Sequence, residues 1–149
     1  MEAGVMNYLL DTNHWSYIQR RHPRVLARLE SLPNEATLYM PVIVQGELLS
    51  GVELAASESR KEELMALYEQ AIAKATDILA VTPEVAAQYA VVFAGLRRKG
   101  MPVDTNDMWI AAIARVHDLV VVSTDGHFGY VEGLRVDDWT KPQPMQGTP

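Results

Sequence analysis

The sequence predicts an α/β sandwich: a central, mainly parallel sheet flanked by helices. Three observations carry that expectation. Short apolar runs alternate with amphipathic segments from one end of the chain to the other. Several of those runs, Tyr8-Leu9-Leu10 and Leu119-Val120-Val121-Val122 among them, have no polar alternation, as in strands buried on both faces. The 149 residues show no internal repeat and fit one domain large enough to bury a core.

Taken in order, a leader over residues 1–5 runs into a first strand, Val5–Leu10. An amphipathic helix begins at His14 with Trp15 and Ile18 on its apolar side, and Pro23 interrupts it. A second helical piece carries Val25, Leu26, Leu29 and Leu32 up to the turn Pro33-Asn34. Ala36–Met40 reads as a strand, and Pro41 opens a helix that runs to Leu54 or Ala55. Ser57 to Thr76 is a charged helix with one stripe, Leu64, Leu67, Tyr68, Ala71 and Ala75. After the strand Ile78–Val81, Thr82-Pro83-Glu84 supplies an N-cap, a first-position proline and an acidic first turn. The helix behind it aligns Val85, Tyr89, Val92 and Leu96 and stops at Gly100. Asn106–Val116 is a helix, Leu119–Val122 a strand and Leu134–Val136 a last short strand. The domain therefore spans 6–140, and 141–149, with three prolines and no periodicity, is a tail.

Composition narrows the function. Hydrophobic residues at 48% and charged residues at 21% describe an ordinary soluble protein. No signal peptide and no membrane-spanning run is visible. The absence of cysteine excludes disulfides, thiolate metal sites and a cysteine nucleophile, and is compatible with a cytoplasmic location. A net charge of −6 argues against nucleic-acid binding by bulk charge, unless several acids are gathered at one metal site.

Four acids stand where periodicity expects something else. Asp11 and Asp125 end apolar strands, where ligands bind in open α/β sheets. Glu47 shares a helical face with Ile43, Gly51 and Leu54, so it is expected to point inward. Asp107 opens a helix that is apolar almost all round. Each has an ordinary reading as well: helix cap, satisfied buried carboxylate, dipole partner or turn aspartate. Together they point to one sheet edge, where four carboxylates would raise each other's pKa unless a cation relieved them. Oxygen ligands without His or Cys suit Mg²⁺ or Mn²⁺.

The residues also carry a family resemblance. Leu9-Leu10-Asp11-Thr12-Asn13, Gly46-Glu47-Leu48, Asn106-Asp107-Met108-Trp109-Ile110-Ala111-Ala112 and Ser123-Thr124-Asp125-Gly126-His127-Phe128 occur in that order, followed by Leu134–Trp139. As a set they resemble a PIN-domain ribonuclease, and more narrowly a VapC-type toxin of a type II toxin–antitoxin pair. The resemblance implies a PIN-like three-layer α/β/α sandwich. It makes Asp11, Glu47, Asp107 and Asp125 the catalytic, metal-binding acids, with Asn13 and Thr124 as supporting polar residues. It implies Mg²⁺-dependent hydrolysis of RNA phosphodiester bonds (Mn²⁺ being an alternative), a cognate antitoxin and a homodimer, with the stripe at Leu67 as the dimer face. The Leu-Leu-Asp-Thr-Asn start is similar to that of toxins that cut tRNA, which favours tRNA as substrate. One departure is Asp104, where these toxins commonly have a small residue; a helix cap is expected of it, with a widened metal site as the alternative.

Other polar residues are less specific. Arg97, Arg98 and Lys99, with Arg20, Arg21, Arg24 and Arg28, form either a phosphate-holding RNA-binding rim or a solvated helix end. His14 and His127 lack metal-ligand spacing and are expected at the surface, and Trp15 and Trp109 in the core or an interface. A haloacid-dehalogenase-type phosphatase would need a second acid where Asn13 stands. The remaining alternatives are a non-catalytic PIN-like RNA-binding module and a flap-type DNA nuclease, although the chain is short for a threading arch.

Overall fold

The computed structural model describes residues 6–142, so the leader and most of the expected tail, from residue 143 on, lie outside the described residues. Strands β1 (Asn7–Leu10), β2 (Thr37–Pro41), β3 (Asp77–Leu79), β4 (Val120–Val122) and β5 (Val136–Asp137) form one sheet in the order β3-β2-β1-β4-β5. Every pairing is parallel. The helices are α1 (Thr12–Gln19), α2 (Pro23–Ser31), α3 (Val42–Glu53), α4 (Glu58–Lys74), α5 (Pro83–Lys99) and α6 (Thr105–His117). Helices α1, α3 and α4 pack on one another, and α5 packs along α6, giving the expected α/β/α sandwich.

The uninterrupted apolar runs occupy the middle of the sheet. Leu9, Leu10, Val121 and Val122 are fully buried because helices cover both faces of β1 and β4. From β1 the chain moves outward to β2 and β3, then crosses back to β4 on the other side of β1. Strand order thus reverses between β1 and β4, the point where a parallel sheet opens a crevice at its carboxyl edge. Asp11 and Asp125 leave the sheet on either side of that point.

Several boundaries differ from expectation, each for a local reason. Helix α1 starts two residues earlier, at Thr12, because the Asp11 side chain caps it by accepting the His14 N–H. Pro23 begins α2 rather than interrupting a helix; it takes the first position behind a His22 cap. Pro41 ends β2 and precedes α3 as its cap residue. The last strand is Val136–Asp137, not Leu134–Val136. Leu134 is still folded back on Val131 O after the turn at Gly133, whose φ is +77°. Residues Gly126–Tyr130 form a 3-10 helix too short to show periodicity in the sequence.

Helix α3 is rotated relative to the expected face. Val44 and Val52 are its buried positions, Glu47 is exposed, and Leu54 is 84% exposed. The Ile43–Glu47–Gly51–Leu54 line therefore lies along the rim of the buried surface rather than within it. The α4 stripe turns toward its own chain. Ala71 is buried, Leu64 and Leu67 are half-buried beside α1 and α3, and Tyr68 accepts a hydrogen bond from Gln45 Nε2 at 3.0 Å.

Candidate active site at the carboxyl edge of the sheet

The site grows from the paired ends of β1 and β4. The Asp11 N–H donates to Val122 O at 3.1 Å, so the first residue past β1 is still held to β4. Asp11 is buried, and both its oxygens are engaged. Oδ1 accepts the His14 N–H at 3.0 Å, and Oδ2 accepts the Ser123 hydroxyl. The same Ser123 Oγ accepts the Asp125 N–H at 2.9 Å. One buried hydroxyl thereby locks the Asp11 carboxylate to the backbone of Asp125. Asp125 in turn caps the 3-10 helix through its Oδ1, which accepts the His127 N–H at 2.8 Å.

Asp107, in the first turn of α6, completes the cluster. Its carboxyl is pushed up to about 7, first by burial, then by Asp125 within hydrogen-bonding reach, with the charges of Asp104 and Asp11 adding. None of the described Arg or Lys side chains forms an ion pair with Asp11, Asp107 or Asp125. Asp104 occupies the N-cap position of α6 with extended backbone, but its side chain makes no cap bond. Its contribution is charge, not the expected cap.

Glu47 reaches this corner from α3 by a different route. Its Oε1 accepts the Thr12 Oγ1 hydroxyl at 2.8 Å, next in the chain to Asp11. It is not among the groups that act on Asp107. Among the described residues, no three His, Asp or Glu side chains are disposed to enclose a metal ion. The structure thus draws Asp11, Asp107 and Asp125 to one edge and leaves Glu47 turned aside on Thr12. The donor set nevertheless fits a hard divalent cation. It is all carboxylate and hydroxyl oxygen, and Asp107 bears a repulsion that such an ion would relieve.

The hydrogen bonds to the acids come from residues next to the expected supporting pair. Asn13 and Thr124 are exposed, and no hydrogen bond to the acids is found for either. Their neighbours Ser123 and Thr12 make those bonds instead. His14 is the clearest revision: expected at the surface, it is fully buried. Its Nε2 accepts the Trp139 N–H at 3.1 Å, which leaves the ring proton on Nδ1, 3.4 Å from Asp11 Oδ1. A helix position following a capping aspartate, facing the sheet, was the available signal. His127 is exposed as expected, with Nδ1 3.0 Å from Asp125 Oδ1. Trp15 is buried, whereas Trp109 is half-buried and stacks on Tyr89 at 3.9 Å between centroids. The basic residues divide. Arg24 and Arg28 staple the C-terminal segment, to Thr140 O at 3.2 Å and Asp137 Oδ2 at 3.1 Å, while Arg97, Arg98 and Lys99 crowd the end of α5.

Comparison with known proteins shows the family. The PIN domain family matches residues 8–134, and the chain belongs to that family. Its relatives there include ribonuclease VapC2 of Haemophilus influenzae, 31% identical over 137 residues, covering 91% of this chain and 99% of the relative. The tRNA(fMet)-specific endonuclease VapC of Salmonella typhimurium is 28% identical over 136 residues, covering 91% and 99%. The solved structure of VapBC-1 from nontypeable Haemophilus influenzae superposes with a TM-score of 0.80 at 25% identity, covering 91% of this chain and 100% of that one.

Proposed function

We propose that the protein is the ribonuclease toxin of a VapBC-type toxin–antitoxin pair, hydrolysing RNA phosphodiester bonds with the help of Mg²⁺ or Mn²⁺. The observation that carries this reading is the carboxylate cluster itself. Asp11, Asp107 and Asp125 stand without an Arg or Lys partner at the switch point of a PIN fold, where burial and mutual repulsion are tolerated rather than designed out. Those three side chains would hold the ion, with Glu47 joining by leaving Thr12. Bound there, such an ion would supply Lewis acidity toward the phosphodiester. Ser123 and the His14 backbone fix Asp11 before substrate arrives, so less ordering is left for the reaction.

The relatives guide the rest. The Salmonella relative is named for tRNA(fMet), and the start of this chain resembles such enzymes, so tRNA is the favoured substrate. A neighbour solved as VapBC-1 supports a cognate antitoxin covering the acidic edge, and a homodimer working in the cytoplasm completes the reading. Sequencing RNA ends from cells induced for the wild type or for Asp107→Asn tests it. New tRNA ends should accumulate with the wild type alone. An absence of new ends in any RNA with the wild type, despite folded protein, would favour a non-catalytic binding module.

A further inference from the structure

A cleft of about 470 Å³ lies beside the acidic edge rather than in it. Its walls are the second half of α5, with Val91, Leu96, Arg98 and Lys99, and the end of the 3-10 helix at Tyr130 with the residues after it; Arg115 of α6 also lines it. The protein carries a net charge of −6, yet this cleft gathers three cations against one acid, Glu132. Lys99 Nζ donates to Tyr130 O at 3.2 Å and lies 3.9 Å from Glu132, and Arg115 is tied to Gln88 at 2.9 Å and to Glu132 O at 2.8 Å. Arg98 is exposed and makes no ion pair among the described residues. Tyr130 is 40% exposed, a large aromatic left facing solvent at the cleft's edge.

The 3-10 helix links the cleft to the site along the chain. Asp125 caps the 3-10 helix whose last residue is Tyr130, and the His127 ring beside Asp125 lies 5.6 Å from the Tyr130 ring. Five residues of 3-10 helix advance about 10 Å, about three stacked nucleotides at about 3.4 Å each. An aromatic face beside an uncommitted cation is what single-stranded nucleic acid requires: a base stacks and the next phosphate is neutralised. A second copy of this chain fits poorly. A two-fold interface sets a patch against itself, and here that would oppose three cations to the same three.

Resting on the reading of the protein as a ribonuclease, we propose that this cleft binds the single-stranded RNA flanking the scissile phosphate. One base stacks on Tyr130, and a backbone phosphate lies on Arg98. The α5 end is thus a substrate subsite and not merely a solvated helix terminus.

The test uses the full chain, fluorescein-labelled oligouridine for binding and bulk tRNA for cleavage. Tyr130→Ala should weaken oligouridine binding at least about fivefold, while Tyr130→Phe stays within about twofold of the wild type. Arg98→Gln should flatten the slope of log affinity against log salt by about 0.7. tRNA cleavage at limiting substrate should fall in parallel, and thermal melts should show all three variants folded, since both side chains are exposed. Unchanged affinity in Tyr130→Ala and an unchanged salt slope in Arg98→Gln would overturn the subsite. So would a change in sedimentation with RNA affinity intact, which would assign the cleft to a protein interface. A wild type that neither binds oligouridine nor cuts tRNA would instead overturn the ribonuclease reading, and this inference with it.

Discussion

Asp107 sits where burial and three neighbouring carboxylates all oppose its charge. Its carboxyl keeps a proton up to about pH 7 in the folded chain, against 3.8 as the ordinary value. Between those values the folded state binds the extra proton, so this group stabilises the metal-free protein at low pH. That contribution is lost as pH rises from 3.8 toward about 7 and is flat beyond. Asp107→Asn should remove that slope, leave the metal-free protein equally stable or more so by up to about 1 kcal/mol, and abolish cleavage. Melts in chelating buffer across this pH range check it; an unchanged slope would assign the titration elsewhere. His14 raises a different question, whether it serves Asp11 or only Trp139. His14→Asn retains a donor near the Nδ1 position, whereas His14→Gln retains an acceptor near Nε2. Each should cost about 1–3 kcal/mol for the contact it drops. If His14 orients Asp11, Asn keeps more cleavage than Gln. The reverse order would make it a structural tie to the C-terminal segment.

At the scale of elements, the turn between α5 and α6 places the acid of one helix near the cations of the other. Gly100 ends α5 in the left-handed region, φ 69°, with its N–H directed to Arg97 O and Leu96 O. A Cβ at Gly100 would meet nothing within 4 Å. Gly100→Ala should therefore cost about 1–2 kcal/mol from backbone conformation alone, read as a lowered Tm with cleavage kept. This helix end was legible in the sequence, because Gly after a periodic run has a local cause. The strands β1 and β4 and the acids at their ends were legible for the same reason: a polar residue closing an unbroken apolar run is a local signal. The facing of Glu47 was not. Rotating α3 by one position moves Glu47 from the buried face to the rim, and that rotation is decided by what Val44 and Val52 pack against. Nor could sequence separate Ser123 from Thr124, since only register against β1 says which hydroxyl meets Asp11. His14 went unseen because its partner Trp139 lies 125 residues away.

The molecule sets the site acids and the cations at the end of α5 on different walls. An acidic pocket on an acidic chain would repel RNA, and the cleft beneath Tyr130 offers the compensating surface. No described helix is long and apolar enough to cross a membrane. The expected dimer face on α4 is half-buried against α1 and α3 within its own chain. The central proposal concerns the acidic edge: three carboxylates without an Arg or Lys partner would be neutralised by a metal during RNA hydrolysis. Incubating the purified protein with bulk tRNA, in Mg²⁺ or Mn²⁺ and in excess EDTA, tests that most directly. Defined fragments should form with either metal, and the tRNA should stay intact in the chelator. Undiminished cleavage in excess EDTA would contradict it.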